Sequence, residues 1–247
     1  MRTAGRAYGG AMTTNRTAII TGASRGLGLA LARALADRGW SLVIGARGAD
    51  ELDHARAELG AVTAVAAIPG DIAAAGHRHA LVEAAGEMGG LDLLVNNAGA
   101  LGPSPLPAVA DLAPADLEAL LRTNAVAPLA LIQEALPLLA ARAGRILNVT
   151  SDAAVEAYEG WGGYGASKAA LEQLSNVLAA EHPELRVYWV DPGDMNTRMQ
   201  QDAYPGEDVS DRPPPEASVP GFLALLDGDF RSGRYSARAL AAEETRA

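Results

Sequence analysis

The stretch "TAIITGASRGLGLALARALADRG", Thr17–Gly39, changes periodicity at one glycine-rich turn. Thr17–Ile20 is a short apolar run, the pattern of a strand covered on both faces. After the turn, the segment from Leu27 to Asp37 reads as a helix, and Gly39 closes it. Gly22, Gly26 and Gly28 let the backbone turn sharply between the two. A strand that runs through such a turn into a helix is the first half of a βαβ unit.

The rest of the chain repeats this unit. Ser41–Ala46 reads as a second strand, followed by a helix over 49–60 closed by Gly60. A third strand spans 62–68, a helix 71–89, and a fourth strand Leu91–Asn97. Ala115–Ala141 reads as one long helix that has to accommodate Pro128 and Pro137, so kinks are expected there. A fifth strand over 144–151, a helix over Tyr164–Glu181, a sixth strand over 186–192 and a seventh in "SGRYSA" (232–237) complete the pattern. The expected architecture is one α/β domain over about 17–240. It is a doubly wound parallel sheet of about seven strands with helices on both faces.

Residues 1–16 are small, polar and glycine-rich and are expected to form a disordered extension, with Met12 as a candidate native start. Residues 241–247 read as a tail. The segment "YPGEDVSDRPPPEASVPG" (204–221) holds five of the 14 prolines and four acidic residues. Together with the residues from 199 it reads as a lid-like loop.

Composition narrows the function. The 247 residues are 49% hydrophobic, 20% charged and only 4% aromatic, so the core is mainly Ala, Leu and Val. A formal net charge of −10 repels phosphate backbones and anionic lipid, so neither nucleic acid nor membrane is expected as a partner. The chain has no cysteine, which excludes disulfides and thiolate metal sites, and a cytoplasmic protein is expected. His54, His77, His79 and His182 form no metal-binding spacing and read as surface residues, so no metal is expected.

The glycines at 22, 26 and 28, at the opening of a helix, suit the close approach of a pyrophosphate. Their spacing departs from G-x-G-x-x-G, but their place in the first βα unit points to a dinucleotide. A carboxylate about 20 residues further on would bind the ribose hydroxyls of NAD. This chain has Ala46 and Arg47 there, and Arg25 lies inside the glycine loop. Two guanidinium groups suit a 2′-phosphate, so NADP(H) is expected in preference to NAD(H).

Tyr164 and Lys168 are four apart and share one helix face. A free phenol, with a pKa of about 10, is a poor proton carrier near neutrality, and a neighbouring ammonium is expected to lower that value. Gly165, Ala166 and Ser167 put almost no bulk between them, which reads as room for cofactor and substrate.

With these residues in view, the chain resembles the short-chain dehydrogenase/reductase family from Thr17 onward. The matching pieces are "TGASRGLG" at 21–28, "GDI" at 70–72, "NNAG" at 96–99, Asn124, Ser151, "YGASK" at 164–168 and "DPGDMNT" at 191–197. The resemblance implies a Rossmann-like fold and a role for each matched position. Tyr164 is the proton donor or acceptor. Ser151 orients the substrate oxygen. Lys168 binds the nicotinamide ribose and tunes Tyr164. Asn124 holds a water that completes a proton relay. The cofactor is implied to lie on Gly22, Ser24, Arg25, Gly26, Leu27 and Gly28, with Asp71 and Ile72 beside the adenine. Asn97, Ala98 and Gly99 line it. Pro192, Gly193, Met195 and Thr197 border the nicotinamide.

The implied activity is reduction of a small-molecule carbonyl to an alcohol, or the reverse. A non-catalytic dinucleotide-binding protein and an epimerase using transient oxidation remain alternatives. Tyr158, Trp161, Met199, Tyr204 and Asp194 are candidate substrate contacts beside Ser151. If several of Asp152, Glu156, Glu159 and Asp194 ring the mouth, a basic substrate is favoured. The charged, alanine-rich C-terminus departs from the family's usual ending, so a homodimer through the 115–141 and 164–181 helices is expected, with a tetramer in doubt.

Overall fold

The computed structural model describes residues 16–244; the segment read as a disordered extension, Met12 included, lies almost wholly outside them, as do the last three residues of the tail. Seven strands form one parallel sheet in the order β3-β2-β1-β4-β5-β6-β7. They are β1 (Thr17–Thr21), β2 (Ser41–Ala46), β3 (Val65–Pro69), β4 (Leu93–Asn96), β5 (Arg145–Val149), β6 (Arg186–Asp191) and β7 (Gly233–Ser236). The expected doubly wound sheet is therefore present.

Side chains alternate across each strand, and both faces are apolar. Ala18 and Ile20 of β1, Leu93 and Val95 of β4, and Leu147 and Val149 of β5 share one core. That core is covered by α1 (Gly26–Asp37), α2 (Ala49–Leu59), α8 (Val219–Asp227) and α9 (Ala237–Glu244). Ile19, Leu94 and Ile146 point the other way, beneath α3 (Ala75–Glu87), α5 (Ala127–Ala140) and α6 (Gly162–Glu181). Strand order reverses between β1 and β4, which opens a crevice at the carboxyl ends of the strands, where open α/β sheets bind ligands.

Three expectations need amending. The helix read over 115–141 is α4 (Pro114–Leu121), a widened turn at Arg122–Val126, and then α5. Pro128 explains the widening. It has no N–H for the carbonyl of Asn124, and its ring would crowd that carbonyl in a regular helix. The lid-like segment is not one irregular loop: it holds α7 (Arg198–Ala203) and the start of α8. Thr197 caps α7, its Oγ1 accepting the Gln200 N–H at 3.3 Å. The residues read as a tail extend α9 as far as Glu244.

Pro114–Ala140 is also long and apolar enough to cross a bilayer by length and composition. Its Leu131, Ala135 and Leu139 are fully buried against the sheet.

Candidate active site

A cavity of about 880 Å³ occupies the crevice. The glycine loop forms its floor. Gly22 and Gly26 have φ of +66° and +57°, a region open chiefly to glycine. Arg25 precedes α1 in extended conformation without a side-chain cap, so the first N–H groups of α1 stay open to an anion. The loop is fastened to β4. Thr21 Oγ1 accepts the N–H groups of Asn97 and Ala98, each at 3.0 Å, and donates to Val95 O. The Asn97 amide donates to the carbonyls of Thr21 (2.8 Å) and Gly22 (3.1 Å).

Gly28 lies behind this loop, outside the cavity lining. A Cβ there would sit 2.3 Å from Gly22 O and 2.5 Å from Asn97 Nδ2. Gly28→Ala is therefore expected to displace the loop, destabilise the fold by about 1–3 kcal/mol and weaken dinucleotide binding. Thermal melting and a nicotinamide fluorescence titration check this; an unchanged titration would show that the loop is not the anion site.

Ser24, Arg25, Leu27, Arg47, Asp71 and Ile72 all line the cavity at its glycine-loop end, where the adenosine is expected. Arg33 lines it too, but it is paired with Glu58 at 2.5 and 2.9 Å. Neither Arg25 nor Arg47 has an ion-pair partner among the described residues. The sequence reading placed no acid here, and that is amended: Glu51 and Glu216 also line this end. The Glu51 carboxylate lies against Gly48 in the first turn of α2, where the helix dipole favours it. His77 corrects another expectation. It is not a surface residue but packs against Gly45 and Gly70, lines the cavity, and is held towards its neutral form by burial. His182 is half-buried, bonded to Glu184.

At the other end, Asn97, Ala98, Gly99, Pro192, Met195 and Thr197 line the cavity beside Tyr164 and Lys168. Gly193 does not line it; its N–H is held by Asp191 Oδ1 at 2.9 Å, with φ +73°. Tyr164 is 8% exposed and Lys168 3%. The Lys168 ammonium donates to Val149 O at 2.8 Å and lies 5.6 Å from the centre of the Tyr164 ring. Asn124 is fully buried in the widened turn. Its amide donates to Ala100 O (2.8 Å) and Ser167 Oγ (2.9 Å), and its Oδ1 accepts Ala100 N–H (2.8 Å). Ser167 in turn donates to Tyr164 O at 2.7 Å, so this network joins the "NNAG" loop to α6. The Asn124 side chain is thereby engaged at both its oxygen and its nitrogen.

Two expectations about the tyrosine change. Burial pushes the Tyr164 phenol well above its ordinary value, and the charges of Asp191 and Asp152 add to this. The same burial pulls Lys168 down from 10.5 to about 8. Desolvation thus outweighs the expected lowering of the phenol by the ammonium. Nor does the missing bulk between the two leave room for ligand. A Cβ on Gly165 would lie 2.4 Å from Ala153 O, so the glycine lets α6 close on the loop after Ser151.

Ser151 is half-buried and extended; its Oγ donates to Asp152 Oδ1 at 2.9 Å and accepts Ala153 N–H at 3.2 Å. Of the candidate substrate contacts, only Met199 lines the cavity. Tyr158 is exposed and donates to Asp152 Oδ2 at 3.0 Å. Trp161 packs edge-on against Tyr164, with ring centres 5.6 Å apart, and Tyr204 lies 6.1 Å from Trp161. Asp194 accepts Gln200 Nε2 and, through its carbonyl, Arg238. None of the four carboxylates expected at the mouth lines the cavity itself.

The sequence reading did not select Thr21, Ala100, Ser104 or Ser167. Thr21 and Ser167 lie inside quoted motifs and were the easiest to find. Ser104, which donates to Asp202 O at 2.6 Å across the cavity wall, has no local signal.

A parallel sheet with a helix N-terminus at its switch point, and a buried Tyr–Lys pair facing the same crevice, defines a dinucleotide-dependent oxidoreductase. The chain belongs to the short-chain dehydrogenase family, whose model matches residues 16–208. It is 35% identical over 193 residues to the 3-oxoacyl-acyl-carrier-protein reductase of rhamnolipid biosynthesis from Pseudomonas aeruginosa, covering 74% of each chain. It is 35% identical over 197 residues to sepiapterin reductase of Bos taurus, again covering 74% of each. An alcohol dehydrogenase from the archaeon Thermococcus sibiricus, complexed with 5-hydroxy-NADP, superposes with a TM-score of 0.79 at 28% identity, covering 90% of this chain and 95% of that one.

Proposed function

We propose that this oxidoreductase is NADP(H)-dependent and reduces a small-molecule carbonyl to an alcohol, or runs the reverse, with Tyr164 as general acid or base. The observation that carries the reading is that one cavity holds both the open arginines at the adenosine end and the buried Tyr164–Lys168 pair at the other. Its volume of about 880 Å³ suits a dinucleotide with a small substrate. The relative bound to 5-hydroxy-NADP is consistent with the cofactor.

Arg25, Arg47 and the α1 N-terminus would hold the phosphates. Lys168 spends one of its three N–H donors on Val149 O, which leaves two for ribose hydroxyls. Bound nicotinamide supplies or accepts a hydride. Ser151 Oγ turns from Asp152 to the substrate oxygen and stabilises charge on it. The Tyr164 phenol, kept protonated by burial, gives its proton to that oxygen. Exposed Leu174 and Val177 on α6, and exposed Val126 ahead of α5, support a dimer through these helices.

A panel of ketones and aldehydes tests the reading, with NADPH consumption and product analysis as readouts. Stoichiometric alcohol supports it. Isomerised substrate with only catalytic cofactor would make the protein an epimerase.

A pH dependence follows from Lys168. Its pKa in the fold, about 8, lies below the ordinary 10.5, so the folded chain holds this proton less tightly than the unfolded one. The fold therefore gains from Lys168 as pH rises from about 8 to 10.5 and loses that contribution as pH falls through about 8. Ligand binding runs the other way, because the ammonium is the donor. NADPH affinity is expected to weaken about tenfold between pH 7 and pH 9, since a charged hydrogen bond is worth roughly 1.5–3 kcal/mol. Lys168→Met should bind weakly with no such slope. An equal slope in both proteins would assign it to another group.

A further inference from the structure

Three consecutive residues at the end of β5 are each tied by a different charged side chain. Lys168 Nζ donates to Val149 O at 2.8 Å. Thr150 Oγ1 donates to Glu172 Oε1 at 2.7 Å. Arg234 Nη2 donates to Ser151 O at 3.2 Å, while its Nε donates to that same Glu172 Oε1 at 3.0 Å. Lys168 and Glu172 stand one helical turn apart on α6 and continue the stripe that begins at Tyr164. Arg234 comes from β7, on the far side of β6.

This is not what holds β7 in place. Its main chain already pairs with β6 from Tyr188↔Gly233 to Asp191↔Ser236. The guanidinium instead points across the sheet edge to α6 and the catalytic strand end. The pair is largely shielded, with side chains 12% exposed for Glu172 and 31% for Arg234. A guanidinium can serve a carboxylate and a carbonyl at once from one rigid plane, and a lysine head cannot.

We propose that Arg234 and Glu172 are positioning residues that fix Ser151 relative to Tyr164, a role that rests on the reductase reading above. The Ser151 carbonyl accepts from Arg234 and from Ala154 N–H at 3.1 Å, while Ser151 Oγ accepts Ala153 N–H. Ser151 thereby anchors the turn that follows it, and Tyr164 meets that turn through Ala153. Releasing the carbonyl lets the hydroxyl drift from the substrate oxygen without touching the cofactor end of the cavity.

The test compares Arg234→Met and Arg234→Lys in the full chain, each in the wild-type and the Ser151→Ala background. The readouts are NADPH turnover with 2,3-butanedione or another active carbonyl from the panel, and hydrogen exchange without ligand. Arg234→Met should lower kcat about 10- to 100-fold, as a misplaced catalytic group does, with the KM for NADPH within about twofold. Arg234→Lys, which keeps a cation beside Glu172, should fold and lose less. In Ser151→Ala, Arg234→Met should add less than about a twofold loss, because groups that act as one unit are not additive. Amides 153–155 should exchange about tenfold faster in Arg234→Met, while β1 and α1 keep their protection, as local opening requires.

An undiminished loss in the Ser151→Ala background would overturn the proposal. So would unchanged exchange at 153–155, or equal acceleration throughout the sheet. Absence of wild-type turnover on the whole panel would instead sink the reductase reading, and the exchange result would still decide whether Arg234 holds the Ser151 turn.

Discussion

Tyr164→Phe lowers kcat by about 10²- to 10⁴-fold, the usual range for removing a general acid, and leaves NADPH affinity within about twofold. The two halves of this expectation have separate causes. The ring is held by packing, among Leu101, Ala153 and Ala203 and edge-on to Trp161 at 5.6 Å, and phenylalanine keeps all of it. Lys168 keeps its bond to Val149 O in the variant, so the ammonium stays where the cofactor needs it. Only the transferable proton is lost. Because burial and the charges of Asp191 and Asp152 hold the phenol protonated, reduction in the wild type should not decline from loss of the Tyr164 proton below pH 10. Oxidation needs the phenolate and should improve as pH rises. Steady-state kinetics in both directions, with a fluorescence titration, check this. Retained turnover in Tyr164→Phe would place the proton elsewhere, with bound water as the first candidate.

Local features of the site were legible because they depend on spacing. Tyr164 and Lys168 share a face by helical geometry alone, and the glycines of 22–28 announce their turn by residue type. Pro128 announces a disturbance in the 115–141 helix, but not that the widened turn would hold Asn124. What the sequence hid is non-local. Arg234 reaches a carbonyl 83 residues away, and nothing near it in the chain marks it. Gly165 shows the limit of a small residue as a signal. It reports that something comes close, and only the fold shows that this is Ala153 O rather than ligand. His77 escapes for the same reason: the notch that holds it is built by Gly45 of β2 and Gly70 in the loop after β3. Tyr158 and Asp194 lie outside the cavity lining, where their polar ends meet Asp152 and Gln200, and no local pattern marks that.

Arg47→Asp should lower NADPH affinity about 100-fold, since one or two charge-assisted hydrogen bonds are lost at roughly 1.5–3 kcal/mol each, and should leave NADH affinity equal or better. Stability should hardly change, because Arg47 is exposed and has no ion-pair partner among the described residues. The size of the effect depends on what else faces the 2′-phosphate. Arg25 lines the same end of the cavity and should retain part of the affinity, so Arg25→Ala/Arg47→Asp should lose more than either change alone. Glu51 opposes both arginines only weakly while it stays folded against Gly48 at the start of α2. If it swings outward, it supplies the carboxylate that NAD-type sites use. Glu51→Gln therefore separates the two explanations of any NADH binding by the wild type. Lost NADH affinity in that variant would make Glu51 a ribose ligand, and NADH binding more tightly than NADPH in the wild type would reverse the proposed preference. Unchanged NADH affinity, with NADPH still the tighter ligand, leaves the arginines as the determinant.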